Sequence, residues 1–278
     1  MIWLCVTCGN EYPDTEVPPA TCVLCNDERQ YVPQPGQQWT ALSPEATSRV
    51  QARSVEPGLT EFSLDPPVGI GQRTFLVHTE AGNILWEPPG FVGTSLIDHL
   101  RAAGGISGIV ASHPHLVGAS VSLSHAFGGV PVWQNSLDRR WITRPDPVHR
   151  FWEGRAEVAP GVTLVCCGGH FPGSAVLHLA DAAHGRGALL TGDTMMVGRD
   201  RASVSFMRSY PNLIPLSERL VRQIAGAVES LPFDRLYGAF GLHIETDAAR
   251  VVRDSAARYI GWLTDQIRDP DEPGSSVD

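Results

Sequence analysis

Four cysteines close to residue 1, in "CVTCGNEYPDTEVPPATCVLC", constrain this chain more than any other feature. Cys5 and Cys8 form one CxxC pair and Cys22 and Cys25 a second, with 13 residues between the pairs. Four thiolates at that spacing can close a tetrahedral site around zinc or iron. A module spanning residues 1–36 is too short to bury a core of its own, so a bound metal is expected to stabilise it. The rival use, a pair of redox-active dithiols, needs a thioredoxin-like setting that the neighbouring residues do not offer. Cys166 and Cys167 lie in an apolar segment and are expected in the core instead.

The rest of the chain changes texture near residue 60. "RTFLVHT" and "NILWE" read as strands joined by a turn at "EAGN". "TSLIDHLRAAGG" carries a Thr cap, helical spacing and a Gly stop. "ISGIVAS", "VPVWQ", "VTLVCC", "SAVLHLA", "GALLTGD", "ASVSFM" and "FDRLYGAF" read as strands; "GASVSLSHAFGG" and "SLDRRWI" as short helices. "LSERLVRQIAGAVESL" and "TDAARVVRDSAARYIGWLTDQI" read as two further helices. This alternation predicts an α/β chain with helices outside sheets. Residues 37–59 read as a linker, 60–268 as the main domain and 269–278 as a disordered tail.

Charge limits the partners. With 21 basic and 30 acidic residues the formal net charge is −9, and every basic residue is arginine. A phosphate-tracking surface needs a basic stripe, so no nucleic-acid partner is expected. The absence of a long apolar run predicts no membrane span, and the lack of a signal-peptide pattern predicts a cytoplasmic protein. A homo-oligomer, or a protein partner held through the cysteine module, stays open.

Histidines gather where strands end. "ASHPHLVG" holds His113 and His115, "CCGGHFPGS" holds His170, "LLTGDTM" holds Asp193 and "YGAFGLHIE" holds His243. Strand ends converge in a sheet, so ligands scattered along the chain can meet at one edge. Three imidazoles and a carboxylate suit zinc, iron or manganese. His125, on the helix after the first loop, is more a helix-face residue than a ligand. Arg208 and Tyr210, in the loop "FMRSYPNLIPLS", are candidate substrate contacts.

These motifs carry two resemblances. "CVTCGNEY" resembles a rubredoxin knuckle, and the module looks like a zinc ribbon of rubredoxin type. That implies a structural zinc, with iron and electron transfer as the alternative. "HPHLVG", "GGHFPGS", "LTGD" and "GLH", in that order, resemble the metallo-β-lactamase fold superfamily, which includes glyoxalase II and many hydrolases. This second resemblance covers about residues 60–265 and implies a four-layer αββα sandwich. Glu87, in "NILWEPPG", stands where that family usually has an aspartate. The resemblance implies a first metal site at His113, His115, His170 and Asp193. The family's second metal takes an Asp and a His where this chain has Val117 and Gly118, so one metal is expected. Installing Asp at 117 and His at 118 is expected to rebuild the second site if His243 points inward.

The expected activity is hydrolysis of a small ester, thioester, lactone or phosphoester, with Asp193 and His243 as catalytic groups. A mononuclear iron oxidoreductase is one alternative. A non-catalytic scaffold whose ribbon binds a partner is another.

Overall fold

In the computed structural model, which describes residues 1–43 and 48–272, most of these segments become short strands. The first three, β1 (Ile2–Cys5), β2 (Glu11–Asp14) and β3 (Trp39–Ala41), form a small antiparallel sheet around the four cysteines. The next seven are β4 (Arg49–Glu56), β5 (Leu59–Asp65), β6 (Thr74–Val77), β7 (Ile84–Trp86), β8 (Gly108–Val110), β9 (Val132–Asn135) and β10 (His149–Trp152). They lie side by side in the order β10-β9-β8-β7-β6-β5-β4. A second sheet of six, in the order β11-β12-β13-β14-β19-β20, faces it. Its strands are β11 (Arg155–Ala159), β12 (Val162–Cys166), β13 (Ala175–Leu179), β14 (Ala188–Leu190), β19 (Arg235–Tyr237) and β20 (His243–Ile244). Between β14 and β19 come two small hairpins, β15 (Met196–Val197) with β16 (Val204–Ser205) and β17 (Met207–Ser209) with β18 (Ile214–Pro215).

Alternation along the strands builds the layers. Phe75 and Val77 of β6 point into the space between the sheets, as do Leu164 of β12 and Leu177 of β13. Leu76, between Phe75 and Val77, turns to the opposite face, where it meets Leu96 and Leu100 of α1 (Thr94–Ala102) and Val121 of α2 (Ser120–Ala126). On the far side of the second sheet, Val165, Val176 and Leu236 pack on α4 (Glu218–Val228) and α5 (Ala248–Leu263). The order helix, sheet, sheet, helix is the expected αββα sandwich. Glu56 ties the sheets at one edge: it accepts from the Tyr237 hydroxyl at 2.7 Å and from the Ala183 amide at 2.8 Å. Ala183 lies in the single turn α3 (Ala182–Gly185).

Two readings change. Residues 37–59 are not a plain linker: β3 pairs with β1 inside the ribbon, and β4 forms the edge of the large sheet. Most β4 side chains are exposed, so the strand lacks the apolar alternation that would announce it. Helix α1 starts after Gly93 with no side-chain cap, so Thr94 is its first residue and not its cap. Of the expected tail, 273–278 lies outside the described residues, as does 44–47 of the expected linker. Among the described residues no helix is long and apolar enough to cross a membrane.

Candidate metal centres

Cys5, Cys8, Cys22 and Cys25 are buried and their sulfurs converge within 4.8 Å of one another. Cys5 Sγ lies 3.6 Å from Cys25 Sγ, and Cys8 Sγ 3.7 Å from Cys22 Sγ. Those separations are too long for disulfides. They match the edge of about 3.8 Å of a tetrahedron whose metal–sulfur arms are about 2.3 Å. Hydrogen bonds within the quartet pull the Cys5 and Cys22 thiols down and push Cys8 and Cys25 up. Four thiolates this close would repel one another, and a cation among them would offset that repulsion. Gln37 Nε2 (3.2 Å from Cys5 Sγ) and the Tyr12 hydroxyl (3.3 Å from Cys22 Sγ) donate to sulfur, which suits thiolate ligands.

The second cluster forms where three strand ends of the two sheets meet. His113 and His115 follow β8, His170 follows β12 and Asp193 follows β14. One ligand atom from each converges within 4.8 Å, and all four residues are buried. His115 Nδ1 is 3.3 Å from His170 Nε2, and His113 Nε2 is 3.6 Å from Asp193 Oδ2. A tetrahedral site with arms of about 2.1 Å has edges of about 3.4 Å. His113 Nε2, His115 Nε2 and Asp193 Oδ1 are buried without a hydrogen-bond partner. Of these, His113 Nε2 faces the other ligands; His115 turns Nδ1 and Asp193 turns Oδ2 to them, and a cation at the centre would satisfy the converging lone pairs.

The surrounding residues fix each ligand. Ser112 Oγ bonds His113 Nδ1 at 2.7 Å, and His170 Nδ1 bonds the Met207 carbonyl at 3.2 Å, which leaves both Nε2 atoms for the cluster. Gly192 brings the aspartate loop against this support. Its φ is +51°, and a Cβ there would sit 2.1 Å from Ser112 Oγ. Glu87 is fully buried and accepts the Ser112 amide at 2.9 Å. Burial pushes its carboxyl well above the usual range, against the hydrogen bonds from Ser112. Burial holds His113 and His115 well below the usual imidazole range and brings His170 to about 4. All three are thus neutral near pH 7, with no proton to displace. Burial raises the Asp193 carboxyl to about 7, and a bound cation would pull it back down.

Other expected residues are dispersed. His243 does not reach the cluster: its register opposite Tyr237 turns its ring to Glu61 Oε2, 3.0 Å away. Arg208 pairs with Glu28 of the ribbon and does not line the cleft. Tyr210 does line it: its hydroxyl lies 3.2 Å from the Asp193 carbonyl, and its ring 5.9 Å from that of His170. His125 stays on the helix surface, 3.2 Å from Asp146. Cys167 is buried and Cys166 half-buried, and neither belongs to a metal-like group among the described residues.

The ribbon, remote from the histidines along the chain, packs directly against them. Thr7, Arg29 and Tyr31 form one wall of a cleft of about 220 Å³, with His115, His170, Asp193 and Phe240 among its other lining residues. Arg29, only 4% exposed, lies over the Phe171 ring at 4.3 Å and pairs with Asp27 at 2.6 Å. Glu11 reaches past the histidine loop and accepts the Val121 amide at 2.6 Å and the Ser122 hydroxyl at 2.6 Å. No spacing or motif marks these residues in the sequence.

No family model matches the chain. Over 269 residues it is 39% identical to YmaE of Bacillus subtilis (strain 168), an uncharacterized protein, covering 95% of this chain and 98% of that one. A B3 metallo-β-lactamase with an active-site glutamic acid superposes with a TM-score of 0.54 at 15% identity, over 80% of this chain and 93% of its own. The DIM-1 metallo-β-lactamase superposes with a TM-score of 0.59 at 11% identity, over 76% and 98%. The fold is that of the metallo-β-lactamases.

Proposed function

The chain belongs to the family of YmaE, and we propose that it is a one-metal hydrolase of small esters, thioesters, lactones or phosphoesters. The observation that carries this reading is the convergence of one ligand atom each from buried His113, His115, His170 and Asp193 within 4.8 Å, beside a cleft of about 220 Å³. Zinc, iron and manganese all suit three imidazoles and a carboxylate. When bound, such an ion lowers the pKa of water and polarises the oxygen of a scissile carbonyl or phosphoryl group.

The chain's own groups do the rest. Ser112 and the Met207 carbonyl hold His113 and His170 in one tautomer and orientation. Asp193 Oδ1, free of partners, is placed to orient the attacking water and accept its proton. The same carboxyl can return that proton to the leaving group, a role His243 cannot fill from its place beside Glu61. Tyr31, Tyr210 and Phe240 give the cleft aromatic walls that shed water around an apolar substrate.

The test is elemental analysis of protein purified without added metal, followed by turnover assays on the four substrate classes. The reading expects two metals per chain and hydrolysis of at least one class, abolished by His113→Ala. One metal in total and no turnover would favour a scaffold instead. Iron beside the histidines without hydrolysis would favour an oxidoreductase.

A further inference from the structure

We infer that the four-Cys ribbon is a working part of the His/Asp centre: each CxxC knuckle positions one ligand histidine through that histidine's main-chain carbonyl. Asn10 and Arg29 are the positioning residues. Asn10, two residues after Cys8, is fully buried and its Nδ2 donates to the His115 carbonyl at 2.9 Å. Arg29, four residues after Cys25, donates through Nε to the His170 carbonyl at 2.6 Å. The two ligands so held come from different sheets, and the two donors come from different knuckles.

Both donors are tied to the cysteines by short paths. The Cys5 amide donates to the Asn10 carbonyl at 3.0 Å, and the Gly9 amide to the Cys5 carbonyl at 2.8 Å, so the first knuckle fixes Asn10. In the second knuckle the Asn26 amide donates to the Cys22 carbonyl at 3.1 Å. Asp27 Oδ1 then accepts from the Arg29 amide at 3.0 Å and from its guanidinium at 2.6 Å. The ribbon's core is little more than Tyr12, Leu24 and the four cysteines, with partly buried side chains packed around them. Loss of its metal would release both donors together. The carbonyls of His115 and His170 would then lose their partners, and ligand geometry tolerates little such slack. Coupling between sites is reciprocal, so the His/Asp metal also steadies the ribbon metal.

The inference rests on the reading that His113, His115, His170 and Asp193 bind a metal; it does not rest on hydrolysis. The experiment measures Zn(II) affinity at that centre in the full chain by competition with a chromogenic chelator, with elemental analysis of the four-Cys metal. Asn10→Ala and Arg29→Ala should each keep the four-Cys metal and weaken the His/Asp centre by about 10- to 100-fold, the range for lost supporting hydrogen bonds. Asn212→Ala, which breaks hydrogen bonds to the Glu28 and Gln30 carbonyls of the ribbon, should change it less than twofold. Affinities within twofold of wild type in both test variants overturn the inference. Because those variants can fail to fold, the wild-type protein supplies a second arm. Titrating the four thiolates with an organomercurial should release the His/Asp metal in step. Retention of that metal at unchanged affinity overturns the inference. A wild-type chain whose only metal survives His170→Ala overturns both this inference and the metal-site reading, which separates the two failures.

Discussion

Gly118 sits so close to the Pro88 carbonyl oxygen that a Cβ on it would lie 2.2 Å away, and its φ of +53° is one that L side chains rarely adopt. The place where the resemblance implied a second-metal histidine is therefore closed by the backbone as well as stripped of a ligand. This corrects the expectation that Asp at 117 and His at 118 would rebuild a second site. Gly118→Ala alone should destabilise the protein by about 2 kcal/mol or more, from strain plus overlap. Val117→Asp with Gly118→His should add no metal. Thermal unfolding and elemental analysis check both outcomes.

His170→Ala should remove about one metal equivalent per chain while the αββα core survives. None of the four ligands belongs to the three large apolar clusters, although Cys167 and Met195 of the neighbouring loops do. Circular dichroism unchanged in shape, with one equivalent lost, is the expected pair of results. An unchanged metal content would remove His170 from the site.

Glu11 is 2% exposed and serves Arg144, Ser122 and the Val121 amide together. Glu11→Ala leaves Arg144 without its buried partner and two amides at the start of α2 without an acceptor. The cost should be about 3 kcal/mol, the low end for breaking a buried ion pair. Urea denaturation measures it, and a loss below about 1 kcal/mol would show that water replaces the carboxylate there.

Asp138 gives a pH signature. It lies against a small cavity of about 20 Å³ behind the histidine loop, and burial pushes its carboxyl up to about 6. Its folded value lies above the unfolded one, so the native state binds the proton more tightly. The burden of ionising it is absent below the unfolded value of about 4 and fully present above about 6. Asp138→Asn keeps an acceptor for the Gly173 amide and should stabilise the protein at pH 7.5 by on the order of 2 kcal/mol. That gain should shrink as the pH falls towards 4.5. A gain that does not vary across this window would assign the effect to packing.

The sequence exposes the strand-end ligands because each stands in a short loop beside glycine, after an apolar run. His243 fits the same pattern and still misses the cluster, because its pairing with Tyr237 aims the ring at a buried glutamate in the other sheet. Pattern finds strand ends; register decides direction. The ribbon's role is hidden for a different reason. Asn10 and Arg29 meet their histidines across 105 and 141 residues, and the contacts run to backbone carbonyls, which no residue type announces. The edge strand β4 escapes because solvent, not a core, covers most of its side chains.

The position of each metal ion decides between one His/Asp site and two. Crystals of the protein purified without added metal, measured at the absorption edges of zinc, iron and manganese, locate every ion directly. The prediction is two anomalous peaks per chain: one enclosed by Cys5, Cys8, Cys22 and Cys25, the other by His113, His115, His170 and Asp193. A further peak bridged by Asp193, about 3.5–4 Å from the second as in two-metal hydrolases, would contradict the one-metal site. So would four histidine and aspartate side chains with no peak among them.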